Sequence, residues 1–281
     1  MKIVMTLLVR DEQDIIRENI EFHLSQGVDY FIVMDNRSVD LTTEYLKEYE
    51  KKGIIRYIYE GDDNYNQHTW VTRMARMAYT EYGADWVINN DADEFWWPKS
   101  GNLKDTFSKV PPEYNIVSAS RHNFVHVDDI TSPFYQSMIY REKISLNPLG
   151  QPLPPKVAHR GSETVIVHQG NHGVEAIPEP KIMDGLIDIL HFPIRSYKQF
   201  ENKIIKGGAA YENNKKLPSS VGVTWRELYK EYKSNNNLQN HFQKNLHDKK
   251  HLKSQLESGS ILIDKRLSRY FTEKDINKLI H

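Results

Sequence analysis

Over the first hundred residues, apolar side chains fall in short unbroken runs separated by stretches in which they recur every third or fourth position. Residues 2–9, KIVMTLLV, form one such run of strand length, continuous enough for burial on both faces, and it stops at Arg10-Asp11-Glu12. In 14–26, Ile15, Ile16, Ile20, Phe22 and Leu24 recur at roughly helical spacing, and Gly27 follows where a helix would be capped. A second apolar run, 30–34, ends at Asp35-Asn36-Arg37-Ser38; residues 41–49 then read as a helix and 54–59 as a third strand. A helix over about 68–82 leads to a fourth strand at 85–90, which runs into Asp91-Ala92-Asp93-Glu94. This alternation predicts an α/β fold, a mixed and mostly parallel sheet flanked by helices, with ligands expected at the carboxyl ends of the strands.

Past Pro98 the alternation weakens. Residues 116–120, 136–141 and 164–168 are expected strands of an irregular, partly antiparallel second half, with Phe95-Trp96-Trp97 burying the turn before it and Pro148, Pro152, Pro154 and Pro155 marking a loop within it. From Ser196 the sequence is helical and polar, with breaks expected at Gly207-Gly208 and at the asparagines 235–237.

The absence of cysteine removes disulfides, thiolate metal sites and thiol nucleophiles, so any metal is held by oxygen or histidine. No run approaches the roughly 20 apolar residues that span a bilayer, and Asp11 and Glu12 come too early for a secretory leader, so a cytoplasmic protein is expected. A net charge of -1 argues against a nucleic-acid partner. The sum conceals a division: residues 1–194 carry 19 Lys+Arg against 29 Asp+Glu, whereas 195–281 carry 18 against 9, a net of +9. That basic C-terminal region is either a solvated helical face or a peripheral contact with an anionic membrane surface.

Three carboxylates within four residues at a buried strand end, Asp91, Asp93 and Glu94, repel one another unless something positive neutralises them. Mg²⁺ or Mn²⁺ is the expected partner, with open positions for phosphate oxygens. Later, an apolar run at 186–190 ends at His191, and Arg195 stands where a helix is expected to begin; Arg195, Gln199 and Lys203 recur at fours and would share a face offered to a diphosphate. Asp11 and Asp35 each close one of the first two strands, where a carboxylate accepts from a base N–H or ribose hydroxyl, or else shapes a turn. Gln67, Trp70 and Arg73 lie on the next helix and would cover a nucleotide, unless Trp70 is core. Residues 159–173 place polar side chains on two glycine-bearing turns around a strand, an expected acceptor pocket. There His172 is a candidate general base, with Glu163 and Glu175 as rivals.

Together these segments resemble a family 2-type glycosyltransferase of the GT-A (Rossmann-like) fold, in the bacterial branch with an Asp-x-Asp-Glu-Phe cluster and a later His-x-Pro-x-Arg-Ser segment. The likeness runs over residues 3–206: Arg10-Asp11-Glu12 stands where the family has Asn-Glu, and Asp35-Asn36-Arg37-Ser38-Val39-Asp40 where it has Asp-Asp-Gly-Ser-x-Asp, with Arg37 in place of the usual glycine. The resemblance implies that Asp11 and Asp35 contact the nucleoside, that Asp93, Asp91 and His191 hold Mn²⁺ or Mg²⁺, and that Arg195 and Lys203 bind the leaving diphosphate. It implies a hexosyltransferase taking a sugar from a nucleotide diphosphate donor, UDP-linked, to a hydroxyl of a saccharide or lipid-linked saccharide acceptor, in cell-envelope or extracellular polysaccharide synthesis. The acidic pair that often marks the base in inverting relatives is not recognisable. The expected division is a catalytic domain over 1–205 and a helical extension over 206–281. Two other classes stand beside this one. A nucleotidyltransferase would want a glycine-rich phosphate loop where Arg10-Asp11-Glu12 stands, and a non-catalytic carbohydrate-binding protein would use the 16 Tyr and 5 Trp but not the clustered carboxylates.

Overall fold

The structure is a computed structural model that describes the chain apart from residues 65, 128–132, 147–150, 215–217, 219–220, 248 and 281. Pro148 lies outside the described residues. In chain order the elements are β1 (Ile3–Val9), α1 (Ile16–Ser25), β2 (Tyr30–Asp35), α2 (Thr42–Lys51), β3 (Ile55–Tyr59), α3 (Gln67–Thr80), β4 (Trp86–Asn90), β5 (Glu94–Pro98), α4 (Leu103–Ser108) and β6 (Ile116–Asn123). There follow α5 (Phe134–Ser137), β7 (Tyr140–Glu142), β8 (Lys156–Arg160), β9 (Ile166–Val167), β10 (Val174–Glu175), β11 (Ile182–Met183) and β12 (Ile187–His191). The last elements are α6 (Tyr197–Asn213), α7 (Val223–Asn235), α8 (Gln239–Asn245), α9 (Lys249–Glu257), β13 (Ile261–Ile263) and α10 (Arg266–Ile280). They form two compact units, Met1–Arg121 with Pro154–Leu190, and His122–Leu153 with His191–His281.

The large sheet has the order β3-β2-β1-β4-β8-β6-β12-β5, with β11 paired to β6. The first four strands in that order are parallel, and β8 runs antiparallel to both β4 and β6. The expected α/β architecture is therefore present, and its parallel half is the part that the continuous apolar runs foretold. Val4, Met5, Leu7, Ile32, Val33 and Val87 are all fully buried, because helices cover the sheet on both sides. Trp70, Val71, Met74, Ala75 and Ala78 of α3 pack against Val4, Ile32, Met34 and Val87, so Trp70 is core.

Several expectations need correction. Residues 94–98 form a strand, β5, where a turn was expected. The expected strand at 136–141 splits into the helical turn α5, which starts at Pro133 with Gln136 N–H donating to the Pro133 carbonyl, and the short β7. Gly207 and Gly208 do not break α6. A Cβ on Gly207 would stand 2.4 Å from the Trp225 ring and one on Gly208 2.3 Å from Tyr229 Cβ, so the two glycines let α7 lie close against an uninterrupted helix. The second unit is otherwise built around Phe200, Ile204, Leu228, Leu238 and Phe242, and β13 pairs antiparallel with β7. The expected boundary at 205/206 falls inside α6. Among the described residues no helix is long and apolar enough to cross a membrane.

One buried polar contact fixes α1 to β5. The His23 imidazole is fully buried; its Nδ1–H donates to the Asn19 carbonyl at 2.8 Å, which leaves Nε2 to accept the Trp96 N–H at 3.1 Å. Burial pushes its pKa from 6.5 down to about 3, and burial likewise lowers His159 to about 4. Below 6.5 the unfolded chain binds protons that the folded chain refuses, so stability is complete above that pH and declines on acidification towards 3. The expected slope is about 1.4 kcal/mol per pH unit for each imidazole. Urea unfolding midpoints measured between pH 7 and 4 check this, and a flat profile would overturn it.

Candidate active site

The parallel registers align the strand ends. Val9 faces Asp35, Asp35 faces Tyr59, and Leu7 faces Asn90, so Asp11, Asp35 and Asp91 lie on one edge of the sheet. Asp91 stands one residue beyond β4. Lys156, the first residue of β8, is brought to it because β8 pairs antiparallel with β4, Ala158 opposite Ile88. The Lys156 ammonium donates to Asp91 Oδ2 and lies 3.3 Å from Glu94 Oε1, while Arg121 Nη1 lies 3.6 Å from the same Glu94 oxygen. Lys156 is 1% exposed and Glu94 0%. Burial alone would lower the Lys156 pKa, but Asp91 and then Glu94 outweigh it and hold it above its ordinary value. The chain thus supplies part of the positive charge that the acidic cluster demands.

Sequence reasoning missed Lys156 and Arg121. The signal available was a lone lysine heading an apolar strand, with no acidic neighbour nearby in sequence. Asp93 is 4% exposed, just inside the same turn. Among the described residues no three His, Asp or Glu side chains converge as a metal-holding group.

The segment expected to form an acceptor pocket reaches this point. Asn171 Nδ2 donates to Asp91 Oδ1 at 3.1 Å, and Gln67 Oε1 accepts the Gly170 N–H at 3.2 Å, tying the start of α3 to the same loop. Gly170 is left-handed, and a Cβ there would meet the His172 ring at 2.8 Å. His172 Nδ1 lies 3.0 Å from the Pro155 carbonyl, which only accepts; Nδ1 therefore carries the hydrogen and Nε2 the lone pair. Burial, then the charges of Lys156 and Arg121, push its pKa down to about 4. At neutral pH it is an uncharged imidazole ready to take a proton. Its rivals are less enclosed: Glu163 is exposed, and Glu175, also exposed, pairs with His168 at 3.6 Å.

At the ends of β1 and β2, Asp11 Oδ1 accepts the Val39 N–H at 2.8 Å, and Ser38 Oγ accepts the Asp11 N–H at 2.9 Å. Asp35 is fully buried, and its carboxylate accepts from Ser38 N–H at 2.9 Å, Tyr57 O–H at 3.1 Å and the Thr43 hydroxyl. Burial, with the Asp35 charge next, raises the Tyr57 pKa to about 12. Arg37, where the resembling family has glycine, adopts the left-handed conformation itself at φ 64. A left-handed position is thus occupied here by an arginine. Arg73 on α3 lies 3.5 Å from Glu60.

In the second unit, His191 Nδ1 lies 2.7 Å from Asn123 Oδ1, which makes Nε2 the lone-pair nitrogen if the amide oxygen accepts. Ser196, not Arg195, caps α6, accepting the Gln199 N–H at 3.1 Å; Arg195 precedes the helix, is 3% exposed and donates from Nη1 to the Phe192 carbonyl at 3.0 Å. Arg195 therefore does not share a helical face with Gln199 and Lys203 as expected. Lys203 Nζ lies 6.0 Å from the centre of the Trp225 ring.

Residues 4–254 match the family described as Glycosyltransferase family 92. The chain belongs to that family. The transferase is thus an enzyme of the class its motifs resembled, and the comparison with family 2-type enzymes carries no further than the shared activity. Among curated proteins none matches it. Among solved structures it is similar to S. aureus TarS 1–349 in complex with UDP-GlcNAc, with 11% identity, a TM-score of 0.44, and 78% of this chain and 69% of that one covered. It is also similar to glucosyl-3-phosphoglycerate synthase from Mycobacterium tuberculosis in complex with Mn²⁺, UDP-Glc and glycerol 3-phosphate, with 18% identity, a TM-score of 0.32, and 43% and 44% covered.

Proposed function

We propose that this transferase moves a hexosyl group from a UDP-sugar to a hydroxyl of a saccharide or lipid-linked saccharide acceptor of envelope polysaccharide, using Mn²⁺ or Mg²⁺. The observation that carries the reading is the meeting, at the end of β4, of Asp91 with Lys156, Asn171 and the loop of His172. Hard cations in nucleotide sites are commonly held by one or two carboxylates, the phosphates supplying other oxygens. Asp91 and Asp93, either side of Ala92 at the end of β4, offer carboxylate oxygens only, and each Asp91 oxygen keeps a lone pair beyond its bond to Lys156 or Asn171, so the pair fits that role. When bound, the cation would stabilise charge on the departing diphosphate.

His172 Nε2 accepts the proton of the acceptor hydroxyl as that oxygen attacks the sugar. Lys156 holds Asp91 in place, and Asn171 fixes its second oxygen. His191 as a further ligand, and Arg195 and Lys203 as diphosphate contacts, are assigned by the resemblance alone. The net +9 of residues 195–281 favours contact with an anionic surface.

Asp93→Asn is expected to lower the release of free UDP from a UDP-sugar, with Mn²⁺ present, by about a thousandfold with little change in melting temperature. Unchanged turnover would overturn the assignment. A product that retains the nucleotide would instead indicate nucleotidyl transfer.

A further inference from the structure

The carboxylate that the resemblance gives to the nucleoside, Asp35, is enclosed and already accepts from three donors of its own surroundings. A second carboxylate on the same edge is open. Asp63, just beyond β3, is held from both sides: Arg10 Nη1 donates to its Oδ1 at 2.7 Å, and Arg37 Nη1 lies 3.0 Å from its Oδ2. The three side chains are 26%, 20% and 44% exposed respectively, so a solute reaches them. Arg10 comes from the end of β1, Arg37 from the left-handed position after β2, and Asp63 from the stretch after β3.

Each guanidinium has five N–H groups and no acceptor, while a carboxylate has about four lone-pair sites and, ionised, no donor. One N–H from each arginine leaves Asp63 able to accept further bonds. The edge therefore presents donor, acceptor, donor in sequence. Uracil is its complement: O4 accepts, N3–H donates and O2 accepts. Cytosine offers donor, acceptor, acceptor; guanine offers acceptor, donor, donor; adenine offers a donor beside an acceptor. With the central ring nitrogen opposite Asp63, cytosine and adenine set an acceptor against the carboxylate, and guanine sets its amino group against an arginine. An ion pair serving only to close loops would place no particular demand on the base.

Resting on the UDP-sugar reading above and adding the residues that enforce it, we infer that Arg10, Asp63 and Arg37 form the edge that reads uracil and selects a uridine donor. Arg37 then does two things at once: its backbone keeps the left-handed turn, and its side chain supplies one of the donors that a glycine lacks.

Isothermal titration of the full chain with UDP, CDP, GDP and ADP, each with Mn²⁺, tests the inference. The wild type should bind UDP at least about tenfold more tightly than CDP, as expected for one correct against one mismatched hydrogen-bonded edge. Asp63→Asn keeps the shape but adds an amide donor, which opposes N3–H of uracil and suits N3 of cytosine. The UDP-to-CDP ratio should fall about tenfold or more. Arg37→Gly accepts the same backbone conformation and deletes one donor, so it should weaken UDP more than ADP and serves if Asp63→Asn does not fold. Ratios unchanged in both variants, with all nucleotides weakened by the same factor, would mean that the cluster only closes loops and would overturn the inference alone. A wild type that binds no uridine nucleotide would overturn the UDP-sugar reading with it.

Discussion

Lys156→Met is expected to destabilise the protein by about 3–5 kcal/mol, the usual cost of leaving a buried charge without its partner. The methionine keeps most of the stem volume, so the loss is electrostatic rather than a cavity. Glu94, with no exposed surface, would then face Arg121 at 3.6 Å without the ammonium beside it, and Asp91 would lose its ammonium partner at the ligand edge. The urea midpoint should fall accordingly, and a loss equivalent to less than about 1 kcal/mol would show that the cluster is solvated and not buried as described. A double variant separates charge from packing. Glu94→Gln combined with Lys156→Met removes both buried charges and should recover a large part of the stability, since replacing a whole buried pair is often near neutral. Catalysis should not recover with it, because Asp91 still lacks the cation that holds it.

The fate of Lys156 shows what the sequence could and could not tell. Strands buried on both faces leave an uninterrupted apolar signature, which is why β1, β2 and β4 and the helices beside them were legible to within a residue or two, whereas β3, at the sheet edge with Arg56 and Tyr59 exposed, was legible from its place in the alternation. The partners of the acidic cluster were not. Lys156 and Asp91 are 65 residues apart and meet only because β8 inserts antiparallel between β4 and β6, a register with no local signature. The same limit applies to Gly207-Gly208, which read as a helix break until Trp225 and Tyr229 are seen against them. It applies also to Arg37, because propensity argues against a left-handed arginine and the ion pair that accompanies it is made by a residue 26 positions later. The strand ends carrying Asp11, Asp35 and Asp91 were legible as an edge. Which of those carboxylates is enclosed and which is open to a ligand depends on side-chain partners, and Asp35 proves to be the enclosed one.

His172→Gln is expected to lower kcat by about 10²- to 10⁴-fold, the range for a lost general base, while the donor KM and the melting temperature change little. The ring is only partly buried, and its contact with the Pro155 carbonyl is one that a glutamine amide can replace, so folding does not depend on it. The pH profile gives the sharper test. Burial, with Lys156 and Arg121 next, holds the imidazole pKa down near 4, so the group is already unprotonated throughout the neutral range. The wild-type rate should therefore be level around neutrality, with an acid limb near 4 and not at the 6.5 of an ordinary histidine. That limb should be absent in His172→Gln. The low pKa makes His172 a weaker base than a free imidazole but keeps it unprotonated throughout the neutral range. A limb at 6.5, or a loss of kcat on Glu163→Gln or Glu175→Gln with His172→Gln still active, would move the base to another residue.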